Sequence, residues 1–299
     1  MASRRLCMSK QVDCSIVILC HNGGQYTEYC LQSLIAAVSR PRELILIDNG
    51  STDDTPQRLA RLIPQLEAAG IEIVTWRNPE NLGCSEARNM GWEKARGRYV
   101  VFMDNDTAVC TSNWLEILAA AMDANEQLAI LGVKLIYPYK PHPIQCAGVD
   151  VNRTGRIRFR GRGARRDDPA FAAFAEVPVL ISACWIKRNA LLQEIGGLDP
   201  LFHPVQYEDL DLCMRATQAG HICAYTPEVE VYHFEGTTTA AVGRDTYLQT
   251  IARNSMKFRR KWQDALKAFP DDKDYDWLPL EEMGMTDELD LTIDDADFS

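Results

Sequence analysis

The chain has 299 residues, of which 46% are hydrophobic, and its formal net charge is −10. This length can build one large α/β domain or two small ones, and no stretch approaches the roughly 18 uninterrupted apolar residues of a membrane-spanning helix. Arg4 and Arg5 near the N-terminus are not followed by the apolar segment of a secretion signal. The sequence therefore predicts neither secretion nor membrane crossing and favours a cytoplasmic protein.

The negative charge is concentrated at one end of the chain. Residues 271–299 contain twelve Asp or Glu and one Lys, so the first 270 residues sum to about +1. Such a composition predicts a disordered acidic tail, although an autoinhibitory or partner-binding tail remains an alternative. The ten cysteines include no C-x-x-C pair, and several lie in apolar runs, which indicates buried, reduced thiols.

The first 110 residues alternate short apolar strands with amphipathic helices, which is the pattern of βαβ units and a parallel sheet. In chain order, the predicted strands are 15–20, 43–47, 72–76 and 99–103, and the predicted helices are 26–38, 55–69 and 89–95. The resulting division is an N-terminal extension (1–12), a nucleotide-binding half (13–110), a second half (111–240), a C-terminal helical segment (241–270) and the acidic tail (271–299).

Polar clusters follow three of the predicted strands. They are His21-Asn22-Gly23-Gly24, Asp48-Asn49-Gly50-Ser51-Thr52-Asp53 and Asp104-Asn105-Asp106. Because ligands of open parallel sheets bind outside the carboxyl ends of the strands, these clusters are expected to converge on one crevice. The crevice is the candidate active site.

The residues of this crevice are mainly carboxylates and amides rather than a glycine-rich phosphate loop. Neither G-x-G-x-x-G nor G-x-x-x-x-G-K-[ST] follows any predicted strand, which argues against dehydrogenases and P-loop enzymes. Carboxylates repel phosphates unless a divalent cation lies between them. Asp104 and Asp106 at a strand end therefore predict a site for Mg²⁺ or Mn²⁺.

Several motifs in chain order resemble the glycosyltransferases of the GT-A fold, in particular the large inverting family 2 and its rhamnosyltransferase-like members. The motifs are IDNGSTDDT (47–55), NPENLGCSEARNMGW (78–92), FMDNDT (102–107), GGLDPLF (196–202), YEDLDLCMRATQAG (207–220) and VEVYHFEG (229–236). The resemblance covers roughly residues 13–262. It implies a Rossmann-like, mostly parallel sheet flanked by helices in a single domain.

The resemblance also implies roles for residues of the donor site. Asp48 would accept hydrogen bonds from the base or ribose of a nucleotide sugar, Arg88 would contact base or phosphate, and Asp104 would reach the ribose or the metal. Asp106 would be the principal metal ligand and His233 a third one. The other residues expected to bind or shape the nucleotide-sugar site are His21, Asn22, Asn49, Ser51, Asn81, Gly83 and Asn105.

A second acidic cluster, Glu208-Asp209, begins an amphipathic helix, where the helix dipole favours acids. Helix capping alone would explain some of these acids. Glycosyl transfer requires a base to remove a proton from the acceptor hydroxyl, and we assign Asp209 to this role. Glu208 is expected to bind the acceptor or to support the base.

Two basic segments leave alternatives open. Residues 153–166 contain seven arginines and three glycines, which predicts either a mobile loop for an anionic acceptor, such as a lipid diphosphate, or a solvated surface hairpin. The segment carries few aromatic residues, so nucleic acid is not an expected partner. Residues 245–269 predict one or two basic amphipathic helices, which either contact the cytoplasmic membrane face peripherally or pack on the domain.

The sequence as a whole predicts an inverting glycosyltransferase. It would move a sugar from a nucleoside-diphosphate donor, UDP-hexose or dTDP-rhamnose, to a hydroxyl of a glycan, lipid-linked or other acceptor. Two alternatives are a nucleotide-sugar nucleotidyltransferase and a catalytically silent binding or scaffold protein of the same fold.

Overall fold

The computed structural model describes residues 11–236, 243–271 and 280–294. Its strands are β1 (Gln11–Cys20), β2 (Arg40–Asn49), β3 (Glu72–Asn78), β4 (Tyr99–Asp104), β5 (Thr107–Val109), β6 (Leu128–Ile136), β7 (Ile144–Cys146), β8 (Val149–Val151), β9 (Ile157–Phe159), β10 (Ala175–Glu176), β11 (Cys184–Arg188) and β12 (Ile222–His233). Its α-helices are α1 (Gly24–Ala36), α2 (Thr55–Ala68), α3 (Cys84–Trp92), α4 (Trp114–Ala124), α5 (Asn189–Ile195), α6 (Glu208–Gln218) and α7 (Arg244–Lys261).

The predicted elements of the first half are all present, with one shifted helix. The helix predicted at 89–95 begins earlier, at Cys84, and ends at Trp92. Ser85 and Glu86 interrupt the apolar pattern of its first turn. The helix nevertheless packs tightly, since a Cβ on Gly91 would lie 2.5 Å from Cγ1 of Val17 on β1.

The main sheet has the strand order β10-β12-β6-β11-β4-β1-β2-β3, with β5 beside β12 and β7 beside β6. The four strands β3, β2, β1 and β4 are parallel to one another. Strand β11 then joins β4 and β6 in antiparallel pairing. The expected α/β class is thus confirmed, with a parallel first half and a mixed second half.

Helix α7 packs against the domain through one face. Phe258 and Trp262 are buried, and the side-chain amide of Asn254 donates hydrogen bonds to the carbonyls of Phe202 and Val205. This arrangement agrees with the packing alternative for the basic C-terminal segment, while membrane contact is untested. Among the described residues, no helix is both long and apolar enough to cross a membrane.

The acidic tail is ordered where the structure describes it, which differs from the prediction of disorder. Asp294 pairs with the end of β5, because its backbone N–H donates to the carbonyl of Cys110 and its carbonyl accepts from Ser112. Its carboxylate also forms a 2.5 Å ion pair with Arg166. Composition misled the prediction because it counts charges and ignores the basic side chains that neutralise them. Residues 1–10, 272–279 and 295–299 lie outside the described part, so the predictions made for them are untested.

The arginine-rich segment supplies the turn and second strand of the antiparallel hairpin β8–β9 and the residues after it, and ion pairs hold several of its arginines. Arg158 pairs with Asp150 at 2.7 Å, and the largely buried Arg162 pairs with Glu235. Arg166 contacts Glu230. This pairing favours the surface hairpin over a mobile loop with free positive charges.

Lys187 on β11 is completely buried between apolar residues. Its Nζ lies 3.7 Å from the ring centroid of Phe102 and 4.4 Å from that of Trp185, and no carboxylate in the described part of the chain forms an ion pair with it. Burial, and after it the charge of Arg88, lowers the pKa of Lys187 well below its usual range. The amine is therefore driven toward its neutral form in the folded protein.

Replacing Lys187 with Met should stabilise the protein. Below the ordinary lysine pKa the unfolded chain binds a proton that the folded chain disfavours, so this residue lowers stability as pH falls from about 10 toward neutrality. We expect Lys187→Met to raise the free energy of unfolding at neutral pH by about 1 kcal/mol or more, or roughly 2–4 °C in Tm. Calorimetry at neutral pH measures the increase in Tm of Lys187→Met over the wild type. The same measurement at alkaline pH should show that this increase becomes smaller.

The matched control is Lys134, a second buried lysine, which pairs with Glu230 at 3.1 Å. Lys134→Met should destabilise the protein because it removes one of the two cations that pair with the largely buried Glu230, the other being Arg166. A lower Tm for Lys187→Met at neutral pH would contradict the assignment of Lys187 as an unfavourable buried base.

Candidate active site

The three polar clusters predicted at strand ends converge at one edge of the sheet. Strands β1, β2 and β4 are parallel neighbours, so His21, Asp48 and Asp104 emerge on the same side. The backbone N–H of Asp104 donates to the carbonyl of Ala183, just before the antiparallel strand β11. This brings the start of β11 to the same edge.

Much of the asparagine-rich sequence braces the loops of this crevice. The side chain of Asn49 donates to Oδ1 of Asn81 and to the carbonyl of Gly83, and it accepts from Asn78 and Leu82. The side-chain amide of Asn49 is almost completely buried, and these hydrogen bonds satisfy its donors and its acceptor. Asn49 and Asn81 therefore hold loops together in this structure.

The first cluster is fixed to the second in the same way. Oδ1 of Asn22 accepts from the backbone of Thr52, the backbone N–H of Asn22 donates to Ser51, and the amide of Asn105 donates to the carbonyl of Asn22. These hydrogen bonds join the three polar clusters along the edge of the crevice.

Position 83 requires glycine because of its backbone conformation and its close neighbours. Its φ is +81°, and a Cβ would lie 2.7 Å from Nδ1 of His203 and 2.9 Å from the carbonyl oxygen of Pro204. The next residue, Cys84, donates its backbone N–H to the same Pro204 carbonyl. A larger residue at position 83 would therefore displace helix α3 and its side chains.

Asp48 and His21 present polar atoms to this crevice. One carboxylate oxygen of Asp48 accepts from the backbone N–H of Ser51 at 2.9 Å. The other lies 3.3 Å from Nε of Arg77 but accepts no well-aligned hydrogen bond from a described residue. His21 donates from Nδ1 to the carbonyl of Asn49. Asp48 thus retains a buried acceptor with unused hydrogen-bonding capacity.

Arg88 connects the nucleotide-binding half to the second acidic cluster. Its almost completely buried guanidinium donates to Asp104 and, at 2.8 Å, to the hydroxyl of Ser182. The backbone N–H of Ser182 in turn donates to Oδ2 of Asp209. Asp104 and Asp209 therefore lie on opposite sides of the Arg88–Ser182 pair.

The two acids at the start of α6 have different surroundings. Each oxygen of Asp209 accepts a backbone N–H, from Ser182 and from Leu210, whereas Oε2 of Glu208 has no hydrogen-bond partner among the described residues. Burial, together with the charge of Glu208, raises the pKa of Asp209 to about 7. Burial also raises the pKa of Glu208, although Arg88 opposes the shift.

Asp104, Asp106 and His233 offer ligand atoms that all lie within 4.8 Å of one another. Nε2 of His233 is 3.5 Å from Oδ1 of Asp106, because β12 ends beside β5 and pairs His233 with Thr107. Burial opposes protonation of His233, but the Asp106 carboxylate more than offsets it and raises the pKa of the imidazole. Two carboxylates and an imidazole fit Mn²⁺ or Mg²⁺ in type and spacing.

Cys110, Glu230 and Asp294 form a second group with similar spacing. The Arg166 guanidinium lies against both carboxylates at 2.5 Å, and it already neutralises them. Burial raises the pKa of Cys110 to about 11. This group is an ion-pair cluster in the structure.

Sequence reasoning missed two residues of the site, Ser182 and Gln145. Ser182 lies in the loop before β11, where no motif identified it. Gln145 contacts His233 at 2.6 Å. The sequence feature that could have identified it is a single polar residue between the apolar Ile144 and Cys146.

The architecture matches solved glycosyltransferases. A structure of GalNAc-T7 with UDP, GalNAc and Mn²⁺ aligns with a TM-score of 0.65 at 18% identity, over 85% of this chain and 48% of that one. The mannosyltransferase PcManGT from Pyrobaculum calidifontis, in complex with GDP-Man and Mn²⁺, aligns with a TM-score of 0.61 at 17% identity, over 87% of this chain and 70% of that one. The fold is therefore the GT-A fold of glycosyltransferases.

The sequence model of glycosyl transferase family 2 matches residues 15–195. The chain belongs to this family.

Similar proteins differ in how much of their length the chain spans. The N-acetylglucosaminyl-diphospho-decaprenol L-rhamnosyltransferase of Mycobacterium tuberculosis is 27% identical over 264 residues, 80% of this chain and 84% of that protein. The O-antigen biosynthesis protein RfbC of Myxococcus xanthus is 28% identical over 71% of this chain, and protein y4gI of Sinorhizobium fredii is 25% identical over 74%. The chain spans only 16% of RfbC and 24% of y4gI.

Removing Arg88 should destabilise the domain, because it leaves buried carboxylates without their cation. We expect Arg88→Met to lower the free energy of unfolding by about 3–5 kcal/mol, measured by urea denaturation at neutral pH. Arg58→Met is the control, since Arg58 is partly exposed and pairs with Glu28 and Asp54 at the surface. Loss of such surface ion pairs should lower the free energy of unfolding by about 1 kcal/mol or less. Equal losses in both variants would refute a central role for the Arg88 network.

Proposed function

We propose that this protein is an inverting, metal-dependent glycosyltransferase that uses a nucleoside-diphosphate sugar and Asp209 as its base. The observation that carries the proposal is the placement of the Asp104–Asp106–His233 group beside the Arg88–Ser182–Asp209 network. A donor diphosphate needs the first group, and an acceptor hydroxyl needs the base of the second. Both lie at the edge of the sheet where α/β folds bind ligands.

On the donor side, we assign nucleotide recognition to Asp48 and Arg88. One oxygen of Asp48 is available to accept from a base N–H or a ribose hydroxyl. A ligand donor at this position would remove the free-energy cost of a buried acceptor without a hydrogen bond. Arg88 holds Asp104 in place through an ion pair. In this proposal Asn49, Ser51, Asn81, Gly83 and Asn105 position the loops of the site.

A divalent cation, held by Asp106, His233 and Asp104, would offset the negative charge that develops on the departing diphosphate. The support for this assignment is the ligand set of the chain itself and the Mn²⁺ in the structures of GalNAc-T7 and PcManGT. The proposal extends to Mg²⁺, which the same oxygen-rich ligands accept.

On the acceptor side, Asp209 removes the proton from the attacking hydroxyl. Its backbone hydrogen bonds fix the carboxylate in one orientation, and a pKa of about 7 suits a base that works near neutral pH. Attack from the face opposite the diphosphate inverts the anomeric centre in a single displacement. Glu208 binds the acceptor or supports the base.

The support for an acceptor class comes from the mycobacterial relative, which this chain matches over 84% of its length. The mycobacterial protein is named for a diphospho-decaprenol acceptor and for rhamnose. We propose a glycan or lipid-linked acceptor for this chain, with dTDP-rhamnose and UDP-hexoses as the donors to test first. Peripheral contact with a cytoplasmic membrane face belongs to the same proposal.

The first test is a thermal-shift screen of UDP, GDP, dTDP and CMP sugars with and without Mn²⁺. One nucleotide class should stabilise the wild type by about 2.7 kcal/mol at a hundredfold excess over Kd, and Asp106→Asn should abolish the metal-dependent part. Asp167→Asn is the control, because Asp167 is exposed and pairs with Arg165. Absence of stabilisation by every donor would favour the silent scaffold instead.

The second test addresses the base. Asp209→Asn should lower kcat by about 10²–10⁴-fold while donor binding in the thermal-shift assay is retained. Because an unprotonated Asp209 is required, the wild-type rate should fall as pH drops below about 7, and this acid limb should disappear from any residual activity of the variant. Initial rates across pH measure both effects.

Asp211→Asn is the control, since Asp211 lies on the same helix but pairs with Arg215 and accepts from Trp262. It should lower stability and leave the acid limb in place. Near-normal turnover by Asp209→Asn, or a product that retains the anomeric configuration of the donor, would reject Asp209 as the base of an inverting reaction.

A further inference from the structure

Gln145 is a completely buried amide at the centre of strand β7. Its neighbours in the strand, Ile144 and Cys146, are apolar and also buried. A buried side-chain amide is costly unless its donors and acceptor find partners. The partners of Gln145 therefore indicate why an amide stands at this position.

Both ends of the Gln145 amide contact the same residue, His233. Oε1 of Gln145 lies 2.6 Å from Nδ1 of His233, and Nε2 of Gln145 donates to the backbone carbonyl of His233 at 3.2 Å. The nearby hydroxyl of Tyr137 donates to Glu235 at 2.6 Å.

The chemistry of these partners determines which way the amide and the ring are protonated. A backbone carbonyl can only accept, so the NH₂ group of Gln145 must face it and the oxygen must face the imidazole. An amide oxygen can only accept, so Nδ1 of His233 must carry a proton. In the neutral ring the lone pair is then on Nε2, the atom 3.5 Å from Oδ1 of Asp106.

We propose that Gln145 is a positioning residue that fixes His233 in the tautomer whose Nε2 lone pair is available to a divalent cation. The inference rests on the metal site of the proposed function, and it adds a residue to that site from another strand. Histidines that bind metals commonly donate the other ring N–H to an oxygen of the protein, and loss of that partner lowers metal affinity by about 10–100-fold.

The tautomer itself can be observed without metal. Long-range ¹H–¹⁵N correlation spectra of protein labelled at histidine, recorded at alkaline pH where the rings are neutral, distinguish protonated Nδ1 from protonated Nε2. The chain has five histidines, and the signal of His233 is assigned by its loss in His233→Asn. The wild type should show the Nδ1–H form, and Gln145→Leu should show a mixture or the Nε2–H form.

Metal affinity supplies the second readout. We expect Gln145→Leu to weaken Mn²⁺ binding by about 10–100-fold, measured by electron paramagnetic resonance of free Mn²⁺ in the presence of UDP. Gln145→Glu keeps an oxygen opposite Nδ1 and should recover the Nδ1–H tautomer, while the loss of the donor that faces the His233 carbonyl should lower stability. Tyr137→Phe, which removes the neighbouring hydroxyl but leaves the Gln145–His233 contact, should change affinity by less than about threefold, well below that loss.

The outcomes separate this inference from the metal site on which it depends. Wild-type protein that does not bind Mn²⁺, or that binds it equally well after Asp106→Asn, would reject the metal site. Wild-type binding that depends on Asp106, with unchanged tautomer and affinity in Gln145→Leu, would overturn the positioning role of Gln145 alone. If Gln145→Leu fails to fold, Gln145→Glu decides, because an Nε2–H tautomer in that variant contradicts the proposal.

Discussion

The buried guanidinium of Arg88 is the interaction on which the site depends. Acids from β4 and from α6 meet around it, and buried carboxylates repel one another strongly where water does not screen them. Arg88 pairs with Asp104 and reaches Asp209 through the hydroxyl and backbone of Ser182. A planar guanidinium donates in several directions at once, so one side chain can join the acids of β4 and α6.

The fold of the first 110 residues was predictable because β1, β2 and β4 each contain a continuous apolar run that ends in a turn rich in Asn, Asp or Gly. The carboxyl-end rule then placed His21, Asp48 and Asp104 together without any knowledge of tertiary contacts. The region between β6 and α5 was harder, since β7 to β10 have two or three residues each. Strands that short carry no readable period.

Residues that position others escaped prediction for a different reason. Ser182 and Asp209 are 27 residues apart in the chain, and Gln145 and His233 are 88 residues apart. Their roles depend on sheet topology, because the loop before β11 and the strand β7 bring Ser182 and Gln145 to the site from the second half. Conversely, the motifs identified Asn49 and Asn81, whose side chains bond to each other and to loop backbone. Motif reasoning therefore finds the loops of the site more readily than the atoms that contact a ligand.

The environments of Glu208 and Asp209 explain how two adjacent acids can have different functions. Both are buried at the start of the same helix, and burial favours the protonated form of each. Asp209 differs because two backbone N–H groups fix its carboxylate and favour its charged form, which partly offsets burial. In the proposed reaction, a pKa of about 7 would leave a substantial fraction of Asp209 ionised at neutral pH while keeping the carboxylate basic enough to accept a proton. Oε2 of Glu208 has no hydrogen-bond partner among the described residues, so in the proposed site this oxygen is suited to a ligand that brings a donor of its own.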